Sequence, residues 1–463
     1  MLPSYKSEKL WSRLELSKIT LCLTLLLPAV FLSSCNQSSA PERAQLAAAK
    51  GGTSFADYEK EYGWQFQYDV AFTNPICEEY AYQSEVLSNS GKRLTSKPRN
   101  AYCKNSDAKV NAANPDGALS RMRRWIQDPS TTEIFLATLT FSNTSIRYDL
   151  CQAIEERSVK VTMVLDSQTS QKQADLLRAC QPKDGKSFPT VVTRGGAGGL
   201  GFAHNKLVIF NPNSDVVRIV FASGNLTSGL VLHHENWNFI TIPAKTHFAE
   251  AHRCLMTGML DHGDALDKYS QYITDCKKSI TYPEEGDIKV YFVPGEGDKA
   301  LEEIRQGLAD SYRVDVAAHR FSLWELVDGL VDFQTGKIPG AVRVLFDDDV
   351  HWNGQGLKVG LNTASEAAHA QRVIDAGAGG RYLETNHGGL LLHHNKFIIF
   401  HGNNSKVFTG AGNFTKSAFV QNFENYYVIS NSKIVEKYKT QYNHLFGDLA
   451  STVDYMPAEN ILP

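Results

Sequence analysis

The stretch HNKLVIFNPNSDVVRIVFASGNLTSGLVLHHENW, residues 204–237, is written a second time as HNKFIIFHGNNSKVFTGAGNFTKSAFVQNFENY, residues 394–426. Counted from the opening His204 and His394, a Lys follows at +2 in both copies (Lys206, Lys396). An Asn follows at +21 and +19 (Asn225, Asn413), and a Glu at +31 and +30 (Glu235, Glu424). A His-x-Lys pair alone is common. Two copies with matching Asn and Glu, each opening an apolar run, are hard to obtain by chance.

The spacing has a physical reading. In a strand, residues i and i+2 point to one face. If His204 begins a strand ending near Phe210, its imidazole and the Lys206 ammonium project together, and His394 with Lys396 do the same ahead of Phe400. A second strand (Val216–Phe221, then Lys406–Thr409) ends in a small-residue turn, Ser223-Gly224-Asn225 or Ala411-Gly412-Asn413, that lets an Asn amide approach the same point. Two copies facing each other supply a nucleophile, a general acid and four groups to hold phosphate oxygens.

This constellation resembles the phospholipase D superfamily of phosphodiesterases, whose pattern is HxK, four residues, Asp, then GSxN and a downstream Glu. The resemblance spans about Leu119 to Ser430. It implies that His204, Lys206 and Asn225 form one half-site and His394, Lys396 and Asn413 the other. Glu235 and Glu424 match the carboxylates that orient the His of the opposite half. Two departures are visible: the motif Asp is Asn211 in one copy and His401 in the other, and the motif Ser, kept as Ser223, is Ala411 in the second. The resemblance implies that the missing Asp is a structural support, and the tyrosyl-DNA phosphodiesterase branch lacks it too.

The implied chemistry is attack of one His on phosphorus, giving a phosphohistidine, while the other His protonates the leaving alkoxide and then activates water. His204 is the expected nucleophile and His394 the acid. Four donors can serve in place of a metal, so no metal or cofactor is expected. The first reading of the substrate is a phospholipid head group. A nuclease is the alternative, since the same site cleaves any accessible phosphodiester. A silent envelope scaffold is a third reading, against which the intact groups in both halves argue.

The duplication extends upstream. Glu133–Thr140 is an apolar run, followed by Ile146, Leu150 and Ile154 at helical spacing, then Val159–Leu165 ending at Asp166. The second copy reads Val314–Ala318, then Leu323, Val327 and Leu330, then Val342–Phe346 ending at Asp347. Strand, helix stripe, strand, loop and HxK strand recur in order. The expected fold is therefore α/β, with two similar phospholipase D-like lobes, each a mixed sheet flanked by helices, related by pseudo-two-fold symmetry. Boundaries fall at 119–245 for the first repeat and 301–445 for the second, with a connecting segment at 246–300. Residues 36–118 are expected to form a tether and a cap on the first lobe.

At 463 residues, 42% hydrophobic and 21% charged, the chain can build two lobes with substantial cores. A net charge of −3 gives no general attraction to polyanions. The dense basic cluster Arg121-Met122-Arg123-Arg124 is read as a solvated helix face.

The N-terminus has the form of an export signal. Lys6, Lys9, Arg13 and Lys18 precede the apolar run Ile19–Leu32, too short for a comfortable membrane span. Leu32-Ser33-Ser34-Cys35 resembles the bacterial lipoprotein box, which implies a lipidated Cys35 anchored in the cell envelope, at the outer membrane given Asn36 after it. The expected partners are thus a phospholipid or other phosphodiester and the membrane itself, with no obligate protein partner evident. Cys77, Cys103, Cys151, Cys180, Cys254 and Cys276 then remain, besides Cys22 in the signal. An even number in an exported chain suggests disulfides. Pairing neighbours in sequence closes the shortest loops and is preferred, with free buried thiols as the alternative.

Two motifs have plainer readings. Gly196–Gly201 satisfies GxGxxG but leads toward the His204 strand instead of a helix, so it is read as a flexible loop at the site mouth. His233-His234-Glu235 and His393-His394 carry no HExxH or Cys/His zinc spacing and are read as strand-end polar groups.

Overall fold

A computed structural model describes residues 66–77, 105–336, 341–354, 364–385 and 391–450, with isolated positions between 54 and 103. The signal-like segment, Cys35 and the tether lie outside the described residues.

The runs after each HxK form strands, Lys206–Phe210 and Lys396–His401, in which every residue is buried. Successive side chains enter different cores. Leu207 and Ile209 join Phe397 and Ile399 in one core shared by both halves. Val208 and Phe210 fill the first lobe's own core, and Ile398 and Phe400 the second's. A sheet covered on both faces needs apolar residues at every position, which is why these strands show no polar alternation. Each such side chain contributes about 1.5–3 kcal/mol by leaving water. His204 and His394 precede these strands instead of opening them. Their backbones are fixed across the seam: His204 N donates to Phe423 O at 3.0 Å, and His394 N to His234 O at 3.0 Å.

Each lobe holds a seven-stranded sheet. The first runs in the spatial order 67–73, 235–243, 216–222, 206–210, 133–138, 160–166, 190–194. The second runs 288–293, 424–429, 406–410, 396–401, 313–318, 342–347, 379–383, the same order read through the second copy. In both, the last three strands are parallel and the others pair antiparallel. The sheets are mixed and flanked by helices, as the repeat pattern predicts.

The crossover helix Thr144–Arg157 buries Ile146, Leu150 and Ile154. It starts where Asn143 accepts the Ile146 N–H and stops at Ser158, whose φ of 56° cannot continue the helix. Its counterpart Trp324–Thr335 buries Val327 and Leu330, with Leu323 just ahead of it. Among the described residues, no helix is long and apolar enough to cross a membrane.

Three details differ from the sequence reading. The region before residue 119 is more than a cap, because Gln67–Thr73 pairs along Glu235–Thr241 as an edge strand of the first sheet. Ile288–Val293, inside the expected connecting segment, takes the equivalent edge in the second. The Arg121–Arg124 cluster is not a bare solvated face: Met122 is fully buried, Arg121 pairs with Asp69 at 2.6 Å and Arg123 with Asp149 at 2.6 Å.

The remaining connection is helical, His247–Thr257 and Leu266–Lys278, and Cys254–Cys276 joins these two helices. Cys77–Cys103 and Cys151–Cys180 are also bonded, so the nearest-neighbour pairing holds throughout.

Candidate active site

The two HxK segments meet at the seam between the sheets. His204 Nδ1 lies 2.9 Å from Glu424 Oε2, and His394 Nδ1 lies 3.0 Å from Glu235 Oε1. Each imidazole thus faces the carboxylate of the other copy. The first contact is a hydrogen bond, whereas the second is close enough for an ion pair but out of line for a hydrogen bond.

Both carboxylates are fully buried, and each is held by a residue two positions away in its own copy. Trp237 Nε1 donates to Glu235 Oε2 at 3.1 Å, and Asn422 Nδ2 donates to Glu424 Oε1 at 3.1 Å. Glycine makes room for them. A Cβ at Gly224 would lie 1.8 Å from Glu235 Oε2, so the turn before Asn225 can approach only without a side chain.

The lysines are buried with them. Lys206 Nζ lies 3.1 Å from both ring nitrogens of His204 and donates to His204 O at 2.9 Å. Lys396 Nζ donates to His394 O at 2.6 Å and reaches across the seam to Ser223 O at 3.3 Å. Asn225 and Asn413 follow in the two small-residue turns, and each has a buried side-chain oxygen without a hydrogen-bond partner.

Burial dominates the electrostatics. It holds Lys206 down from 10.5 to about 8, against the opposing charges of Glu424 and Glu235. Lys396 is pushed well below the ordinary lysine range, by burial first and by the Lys206 cation second. Burial, then the two lysines, keeps His204 well below the usual imidazole value. His394 is lowered likewise, by burial first and then chiefly by Lys396 and His319. Glu424 is raised to about 8 by burial, with Lys206 opposing. Burial thus favours the neutral form of both imidazoles, and an anion placed between the two amines would oppose that effect on each of them.

Several supports were not singled out from the sequence. Asn205 Nδ2 donates to Asn425 Oδ1 at 3.2 Å, and Asn236 Nδ2 donates to Asn395 Oδ1 at 3.1 Å. These bonds tie the middle residue of each HNK to the residue after the opposite Glu. The signal was present, since both copies read HNK and EN. Asp166 Oδ2 accepts from Ala203 N at 2.7 Å, and Asp347 Oδ2 accepts from His393 N at 2.8 Å. The Asp that ends the second strand of each repeat therefore fixes the residue ahead of its His.

The departures from the motif fall on supports. Asn211 accepts from Thr132 N at 2.8 Å and donates to Ser130 O at 2.8 Å, while His401 pairs with Asp315 at 2.6 Å. Ser223 Oγ accepts from Asn236 N at 3.0 Å. The glycine loop is packed instead of free: Gly198 O accepts from Leu266 N at 2.9 Å and Leu200 is buried.

Residues 304–446 match the family model described as "Cardiolipin synthase, PLD-like domain". No curated protein matches this sequence. Among solved structures, phosphatidylserine synthase of Haemophilus influenzae is similar with a TM-score of 0.53 at 12% identity, covering 77% of this chain and 87% of that one. Polyphosphate kinase of Porphyromonas gingivalis gives a TM-score of 0.45 at 12% identity over 72% of this chain, which spans 45% of the kinase. Yeast tyrosyl-DNA phosphodiesterase gives 0.42 at 10% identity, covering 66% of this chain and 84% of that one. The likeness to the Haemophilus influenzae structure is one of fold, two lobes each built on a mixed seven-stranded sheet flanked by helices.

Proposed function

We propose that this chain is a phosphodiesterase that hydrolyses phospholipid head groups through a phosphohistidine, anchored to the bacterial envelope by a lipidated Cys35. The observation that carries the chemistry is the pair of crossed His–Glu contacts enclosing two buried lysines.

Glu424 holds the Nδ1 side of His204, so Nε2 is the nitrogen offered to phosphorus once Lys206 turns from it to the phosphate, while burial keeps the ring neutral and nucleophilic. A phosphodiester anion between Lys206 and Lys396 offsets the cations that lower His394, and this raises its proton affinity. His394 then protonates the leaving oxygen, and His204 becomes phosphohistidine. Neutral His394 next takes a proton from water, which attacks phosphorus and frees His204. The lysines and the amides of Asn225 and Asn413 bind the non-bridging oxygens as charge grows on them.

The proposed tether at Cys35 and a net charge of −3 favour a lipid over a nucleic acid. Disulfides are at home outside the cytoplasm, which supports export. The test is to incubate the chain from residue 36 onward with labelled phosphatidylcholine, phosphatidylethanolamine and DNA, with and without chelator. Release of lipid head groups that persists in chelator is expected. Cleavage of DNA alone would move the substrate to nucleic acid, and inactivity on all three would favour the scaffold.

A further inference from the structure

The two half-sites are not equal. Around His394 stand His233, with ring centroids 5.6 Å away, and His319, 4.6 Å away and edge-on. The equivalent positions around His204 carry no imidazole. Asn422 stands two residues before Glu424 where His233 stands two before Glu235. By strand register, Leu139 corresponds to His319, since Thr138 pairs with Lys206 as Ala318 pairs with Lys396.

This asymmetry assembles a ligand set. His233 Nδ1 lies 3.3 Å from Glu235 Oε1, and His394 Nδ1 lies 3.0 Å from the same oxygen. One ligand atom from each of the three residues falls within 4.8 Å of the others. Bonds of about 2.0–2.1 Å at tetrahedral angles separate neighbouring ligands by roughly 3.3 Å, so two edges of a zinc tetrahedron are already formed. The third edge, between His233 and His394, spans no more than 4.8 Å. His233 and His394 keep 12% and 9% of their side chains exposed, which leaves an entry path to the buried Glu235.

We propose that His233, Glu235 and His394 form a binding site for a zinc-class divalent cation, and that occupancy shuts the enzyme by withdrawing His394 and Glu235 from their pairing. The cation is an inhibitor here, because the mechanism proposed above needs His394 and Glu235 for proton transfer. The first half-site offers only His204 and Glu424, because the Asn422 amide that replaces the second imidazole is a poor zinc ligand. The seam between the two half-sites therefore holds one such cation. The shut-off rests on the phosphodiesterase reading, but the binding does not.

The test uses the chain from residue 36 onward, stripped with chelator, dialysed and titrated calorimetrically with zinc chloride. The same protein is then assayed on a generic aryl phosphodiester over the zinc series, each variant being normalised to its own metal-free rate. One zinc is expected at this site, and His233→Asn, which copies the first half-site, should weaken its binding at least about tenfold. His319→Leu, copying Leu139, should bind zinc like the parent. Inhibition should track occupancy and shift with His233→Asn by the same factor. Undiminished zinc affinity in His233→Asn with unchanged circular dichroism, or affinity lost in His319→Leu instead, would overturn the site. Zinc binding at full occupancy without inhibition would overturn the shut-off. If no phosphodiester is cleaved while the calorimetric pattern holds, the functional reading fails and the metal site stands.

Discussion

His204 Nδ1 sits 2.9 Å from Glu424 Oε2, although 220 positions of chain separate them. The reciprocal pair, His394 with Glu235, makes the site the property of neither lobe. Each lobe by itself holds a nucleophile-grade imidazole and a cation but lacks the carboxylate that orients the ring.

The two imidazoles divide the labour, so His204→Ala and His394→Ala should each lower turnover at least about a hundredfold, the range of a lost acid–base group or nucleophile. Circular dichroism and melting are expected to stay near those of the parent. Substantial turnover in either folded variant would rule out a two-histidine mechanism.

The crossed pairing predicts its own coupling pattern. In double-mutant cycles on unfolding free energy, His204→Gln with Glu424→Gln should show about 1 kcal/mol or more of interaction, as contacting groups do. His204→Gln with Glu235→Gln should show the smaller interaction, since these two are joined through Lys206 instead of by direct contact. The reverse result would mean that each Glu serves its own copy.

Gly224→Ala should displace Glu235 from His394, because the new methyl would stand 1.8 Å from Glu235 Oε2. A shift of this size in an orienting group predicts a loss of about a hundredfold in kcat. Gly447→Ala, where a methyl meets nothing within 4 Å, is the control. Equal rates in the two variants would show that the Glu235 position does not govern turnover.

The pH profile should fall on its alkaline side near 8. Lys206 is lowered from 10.5 to about 8, mainly by burial, so it is an ammonium below that value and neutral above it. kcat/KM is expected to drop as pH rises through about 8, and Lys206→Arg, whose guanidinium stays charged, should abolish that limb even at a lower rate. The contribution to folding has the opposite sign. The unfolded chain binds the proton more tightly than the folded one, so this group's contribution to stability rises between about pH 8 and the unfolded value of 10.5. A limb that persists near 8 in Lys206→Arg would assign it to another group.

Cys35→Ser should release the protein from the membrane fraction, because acyl chains supply about 0.8 kcal/mol per buried methylene. The released protein should still migrate faster on gels without reductant, since Cys77–Cys103, Cys151–Cys180 and Cys254–Cys276 close loops. Retention of the Cys35→Ser protein in membranes would point to another anchor.

The sequence by itself determined the duplication, the α/β class and the presence of two His–Lys–Asn–Glu sets, because these follow from local periodicity and from motifs repeated at matching distance. It also placed Ile146, Leu150 and Ile154 on one helix face, where a single period suffices. Register and edge strands were beyond it. Gln67–Thr73 carries no motif and becomes a strand only because Glu235–Thr241 offers it a partner. Spacing could not choose between a Glu235 folded back on His204 and one reaching His394; the family resemblance implied the crossing, and packing of the two sheets around a shared core sets the distances. The gathering of His233 and His319 around His394, with Asn422 and Leu139 in their places around His204, was likewise decided only in three dimensions. Each of those residues comes from a different stretch of chain, and long-range packing alone brings their side chains within a ring's width of one another.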